Sequence, residues 1–120
     1  MKSRGNRLSG ATAFFVLGLT LLADTCQAEA YSKVSTIKNM TVGLGMARVE
    51  LTDNTGSFEA CSSDRTWYLL DLSSAAAGTK EMLATLLSAK AAGQKVFLQT
   101  IGCVGSYSRL THIYLCDAAC

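Results

Sequence analysis

The stretch VSTIKNMTVGLGMARVEL, residues 34–51, decides the fold. Its apolar residues alternate with period two, but Val42, Leu44 and Met46 share one parity while Val49 and Leu51 take the other. A strand whose inward face changes parity needs an extra residue, and Gly43 and Gly45 supply the backbone freedom for a bulge or coil. The pattern therefore predicts one long, bent first strand whose phase slips between Met46 and Arg48. Asp53-Asn54-Thr55-Gly56 then has the side-chain chemistry of a turn. Ser57–Ser62 is expected as a second strand holding Phe58 and Cys61, and the polar run Ser62-Ser63-Asp64-Arg65 turns the chain again. Trp67–Leu72 follows as a third strand, with Trp67 and Tyr68 on opposite faces.

The period changes after Gly78. Thr79 is placed to cap a helix in which Met82, Leu83, Leu86, Leu87 and Ala89–Ala91 recur at spacings of three and four, and Gly93 ends it. Lys95–Ile101 predicts a fourth strand, Gly102–Ser106 a glycine-rich loop holding Cys103, and Leu110–Leu115 a fifth strand. The chain is thus expected to be mainly β with one α-helix, in the order β-β-β-α-β-β. That is the order of a five-stranded Greek-key barrel of the OB type, with the helix plugging one end through Leu83, Leu86 and Leu87.

Upstream of this unit, Lys2, Arg4 and Arg7 precede an apolar run at Ala11–Ala23, and Ala28-Glu29-Ala30 has the small-x-small form of a signal-peptidase site. Residues 1–30 are expected to be a secretory signal peptide and residues 31–120 a single OB-fold domain beginning at Tyr31. The apolar run is too short to span a bilayer, which takes about 20 residues, so no transmembrane segment is expected after cleavage. The acid at Asp24, close before Cys26, does not suit a lipoprotein signal. The expected location is secreted, with the periplasm as transit or final compartment.

Composition narrows function. The 120 residues are 49% hydrophobic and 17% charged, which excludes disorder and leaves room for one domain. The net charge of +2 comes from 11 basic and 9 acidic residues with no basic stripe, so nucleic-acid binding is not expected. His112 is the sole histidine, flanked by strand residues, and reads as a surface side chain rather than a catalytic base. Glu50, Asp53, Glu59, Asp64, Asp71, Glu81 and Asp117 form no recognisable pair and read as solvated carboxylates. Gly43-Leu44-Gly45 lacks the third glycine and following helix of a dinucleotide loop. Cys61, Cys103, Cys116 and Cys120 lack the paired spacing of a zinc site, and in an exported chain this even set reads as disulfide-forming. No metal, no cofactor and no enzymatic activity are expected.

Lys80-Glu81-Met82-Leu83 followed by Gly93-Gln94-x-Val96 resembles the helix and next strand of the B subunits in the subtilase-cytotoxin and typhoid-toxin group. Tyr31-Ser32-x-Val34 is similar to the start of that family's first strand. Cys61, Trp67 and the close pair Cys116 and Cys120 also fit. The resemblance implies a homopentamer of OB-fold subunits that binds host glycans, sialylated ones among them, and delivers an enzymatic A subunit. It places Ser32 where the family's serine meets the sialic-acid carboxylate. Thr100 stands where the family has an aromatic residue that helps to hold the sugar. The family's cysteine partner in the first strand is absent here, leaving Cys103 for Cys61. With Cys61 ending the second strand and Cys103 following the fourth, the expected bridges are Cys61–Cys103 and Cys116–Cys120. The alternative function is a stand-alone secreted or periplasmic OB-fold module that binds a small ligand or protein outside any toxin.

Overall fold

The computed structural model describes residues 28–117. Most of the expected signal peptide and Cys120 lie outside the described residues. The elements are β1 (Glu29–Tyr31), β2 (Ser35–Gly43), β3 (Met46–Leu51), β4 (Tyr68–Asp71), α1 (Thr79–Ala92), β5 (Lys95–Val104) and β6 (Tyr107–Cys116). They make one six-stranded mixed sheet with a single helix. β2 pairs with β3, β3 with β4, β4 with β6 in parallel, β6 with β5, and β5 with both β1 and β2.

Three strand expectations are corrected. Residues 34–51 are not one bent strand but two, joined through Leu44 and Gly45, with Gly43 opposite Met46. Gly45 has a φ of 74°, a conformation that a side chain disfavours. A two-residue turn reverses the parity of the flanking residues just as a one-residue bulge does, so alternation alone could not separate them. A bulge does exist, at Lys38: the pairing steps from Ile37↔Leu51 to Asn39↔Glu50. Lys90 of α1 donates to the carbonyls of Ile37 and Lys38 there, at 3.4 and 2.9 Å.

Residues 57–62 form no strand. The chain from Thr52 to Trp67 is held by side chains instead: Asp53 accepts from the N–H and hydroxyl of Thr55, and Asp64 from the N–H groups of Thr66 and Trp67. Cys61 of this segment is bonded to Cys103, 42 residues on. The third correction is that β5 continues through Cys103 to Val104, so the expected loop shrinks to a turn at Gly105 and Ser106.

The helix lies close to its expected span. Its N-cap is Gly78 rather than Thr79, whose hydroxyl donates back to the Ala76 carbonyl. Gly93 closes it, with Gln94 N–H donating to Ala89 O at 2.9 Å. Leu86 and Ala89 face the core with Val49, Leu51, Tyr68, Val96 and Leu98. Leu83 is only partly buried, and Leu87 is 49% exposed, so Leu87 does not help fill the core. Leu86→Ala is expected to cost about 2–5 kcal/mol by removing a wholly buried side chain. Leu87→Ala should stay within about 0.5 kcal/mol, as at other surface sites, when both are compared by chemical denaturation.

Glu29 and Ala30, upstream of the expected cleavage point, are two of the three residues of β1 and pair with Ile101 and Thr100. Ala30 is 6% exposed, and its N–H donates to the Glu59 carboxylate at 3.2 Å. A chain starting at Glu29 should therefore be more stable than one starting at Tyr31 by about 1–3 kcal/mol, the cost of leaving a buried acceptor short of a partner. Parallel denaturation of the two chains measures the difference.

Candidate functional site

Strand β5 turns successive side chains to opposite faces, although Leu98, Gln99 and Thr100 are all buried. Val96, Leu98 and Thr100 point inward, with no exposed surface, while Phe97 and Gln99 point outward. Register then decides their outward neighbours: Tyr31 of β1 and His112 of β6 lie opposite Gln99, and Tyr114 of β6 lies opposite Phe97. The result is a tract of rings across three strands. Tyr31 stacks on Phe97 at 5.6 Å, Phe97 meets Tyr114 at 5.6 Å with the planes tilted 50°, and His112 stacks on Tyr114 at 6.4 Å. Tyr31 is 40% exposed and Tyr114 46% exposed.

Polar groups hold the rings in place. Gln99 sits beneath them at 7% exposure, its amide nitrogen donating to the Tyr31 hydroxyl and its amide oxygen accepting from the Tyr114 hydroxyl. Tyr31 donates in turn to the Glu29 carboxylate, and that hydrogen bond is the first cause holding the phenol above its ordinary value of 10.0. Both tyrosines thus stand partly exposed with their hydroxyls anchored. Such a surface offers apolar ring area to a flat ligand and the Glu29 carboxylate and His112 imidazole to its hydroxyls.

The two residues assigned to glycan binding lie directly behind this face, not on it. Ser32 is 5% exposed; its hydroxyl accepts from Leu98 N–H at 2.9 Å and donates to the Lys33 carbonyl at 2.9 Å. Thr100 has no exposed surface, and its hydroxyl reaches the Glu59 carboxylate at 3.0 Å and the Ala30 carbonyl at 3.3 Å. Both hydroxyls are spent inside the fold, because both residues sit on the inward side of the β1–β5 pairing. Phe97, Gln99 and Tyr114 were missed. Their shared parity within each strand was visible, but the register that joins the strands was not.

Among the other assigned residues, Cys61 and Cys103 are bridged as expected. Cys116, 3% exposed, is also disulfide-bonded, and its expected partner Cys120 lies outside the described residues. Two carboxylates expected in solvent are buried: Glu50 at 9% and Glu59 at 6% exposure. Glu50 takes Asn39 Nδ2 at 2.6 Å and Lys38 Nζ at 3.2 Å, and these two, Asn39 first, hold its carboxyl below 4.5. Among the described residues, no three His, Cys, Asp or Glu side chains gather as a metal site.

Hydrogen bonds from the hydroxyls of Thr55 and Ser73 likewise hold Asp53 and Asp71 below 3.8. A depressed carboxyl contributes stability that is present above its unfolded value and lost as pH falls through the folded one. The stability these three carboxyls contribute should thus be flat above the ordinary values of 4.5 and 3.8 and decline in more acidic solution. Glu50→Gln should shallow that decline in a denaturant series run at several pH values. Ser32→Ala is expected to cost about 1–3 kcal/mol through the stranded Leu98 N–H, as read by thermal or chemical unfolding.

No family model, no curated protein and no solved structure matches this chain.

Proposed function

We propose that the protein is a secreted glycan-binding module of the OB type, acting as a homopentameric toxin B subunit that carries an enzymatic A subunit. The observation that carries the binding reading is the open tract Tyr31–Phe97–Tyr114, flanked by His112 and backed by Gln99. The apolar C–H face of a pyranose matches a tyrosine ring in size, and its ring hydroxyls need the polar groups that border this tract.

Support for a closed OB-type barrel comes from the pairings, which return from β6 through β5 to β2, with the helix between β4 and β5. The disulfide supports folding in an oxidising compartment. Assembly is supported by apolar surface left uncovered on the single chain, notably Leu87 of α1 and Leu115 of β6 at 49% and 50% exposure. One sugar on one tract would be held weakly, so several copies on a ring would raise the effective affinity.

A second reading, a stand-alone module for a small ligand, is favoured by one feature. A cavity of about 330 Å³ opens between β4, the start of α1 and β6, lined by Leu70, Asp71, Met82, Arg109 and Thr111 among others.

A glycan array followed by calorimetry with the best sugar separates the readings. Tyr114→Ala should weaken binding roughly two- to tenfold, in line with about 0.5–1.5 kcal/mol for a ring contact. Ser32→Ala, measured where it is folded, should leave affinity unchanged. Native mass measurement should return five copies. A blank array and a monomeric mass would move the protein to the second reading.

A further inference from the structure

A different aromatic group lies on the outer face of β3. Arg48 points outward between the buried Ala47 and Val49, and its guanidinium carbon stands 5.4 Å from the ring centre of Trp67 and 5.7 Å from that of Tyr107. Its Nε donates to the Thr41 hydroxyl and its Nη1 to the Tyr107 hydroxyl, each at 3.2 Å. Two rings and two hydrogen bonds fix the plane of the cation. Three of its five N–H groups are left without a partner among the described residues. No carboxylate among the described residues pairs with it; the ion pair there is Lys38 with Glu50.

Arg48 also forms one wall of a hollow of about 260 Å³ whose other walls are Thr41, Val42, Gly43, Leu44 and Met46. Position 43 leaves room in it: a Cβ there would meet nothing within 4 Å. Leu44 and Met46 beside it are exposed, at 101% and 40%. A fixed cation thus borders an apolar space too small for a drug-sized molecule.

We propose that this is a binding site for a small organic carboxylate with a short apolar body. The guanidinium fork matches the two carboxylate oxygens, and a lysine could not reproduce that planar match. The apolar body would cover Met46 and the bare backbone of Gly43. The site is separate from the Tyr31–Phe97–Tyr114 tract and stands or falls apart from it.

Trp67, the single tryptophan of the chain, touches Arg48 and reports directly on it. Its fluorescence is followed while the folded protein is titrated with sodium hexanoate, sodium acetate or hexan-1-ol. Hexanoate should give a saturable change; acetate, which lacks the apolar body, should need roughly tenfold more, and hexan-1-ol should not saturate. Arg48→Lys should weaken hexanoate roughly tenfold or more while keeping the charge. Gly43→Val, which leaves the Arg48 contacts intact, should weaken hexanoate and spare acetate, and Tyr114→Ala should change nothing. A wild-type protein that gives no saturable signal, that binds hexan-1-ol as well as hexanoate, or that binds hexanoate unchanged after Gly43→Val overturns the proposal.

Discussion

A strand has two edges, and β5 has three partners. One edge is taken by β6 along most of its length. The other must be shared, with β2 at Lys95 and Val96 and β1 at Gln99–Ile101. Between them the ladder would break at Leu98, where the chain passes from β1 to β2. Ser32 closes that gap: its N–H donates to the Leu98 carbonyl, and its hydroxyl accepts the Leu98 N–H, both at 2.9 Å. A buried N–H left without a partner costs more than an ordinary hydrogen bond contributes, so this one side chain governs whether β1 and β2 can lie on one edge. Gly56 is pressed against the same point, since a Cβ there would come within 2.6–2.8 Å of the backbone of Ser32 and Lys33.

The polar interior around this junction has a consistent purpose. Glu59 reaches in from the irregular segment to accept from Ala30 N–H and the Thr100 hydroxyl, while its own N–H donates to Ser108. One residue thereby ties β1, β5 and β6 together. With every inward polar group of β5 satisfied, its outward residues are held at fixed spacing, and that spacing builds the Tyr31–Phe97–Tyr114 tract. Tyr68 contributes on the other side of the same segment. Its ring stacks on Phe58 at 4.6 Å, and burial pushes its hydroxyl up to about 12, so it remains a neutral donor to Ser57.

What could be read in the sequence was local. The helix was legible because its period and its closing Gly93 are properties of consecutive residues, and Lys95–Ile101 was legible as a strand, though not the inward aim of Thr100. The hairpin at Leu44 and Gly45 was not, because a turn and a bulge leave the same parity mark. Residues 57–62 carry too few alternating positions to distinguish a strand from a loop held by Asp53 and Asp64. Ser32 illustrates the deeper limit. A serine hydroxyl can meet a sugar or a backbone amide, and the choice rests on Leu98, 66 residues away in sequence. The aromatic tract was hidden for the same reason: its rings come from three strands whose register only the folded chain sets.

Hydrogen exchange at the Leu98 amide tests the junction most directly. The account predicts that Leu98 N–H in the wild-type protein is protected as strongly as the N–H groups of the paired strand around it. In Ser32→Ala that protection should drop at Leu98 while the β5–β6 pairing keeps its own. Rapid exchange at Leu98 in the wild-type protein, or unchanged protection after Ser32→Ala, would contradict it.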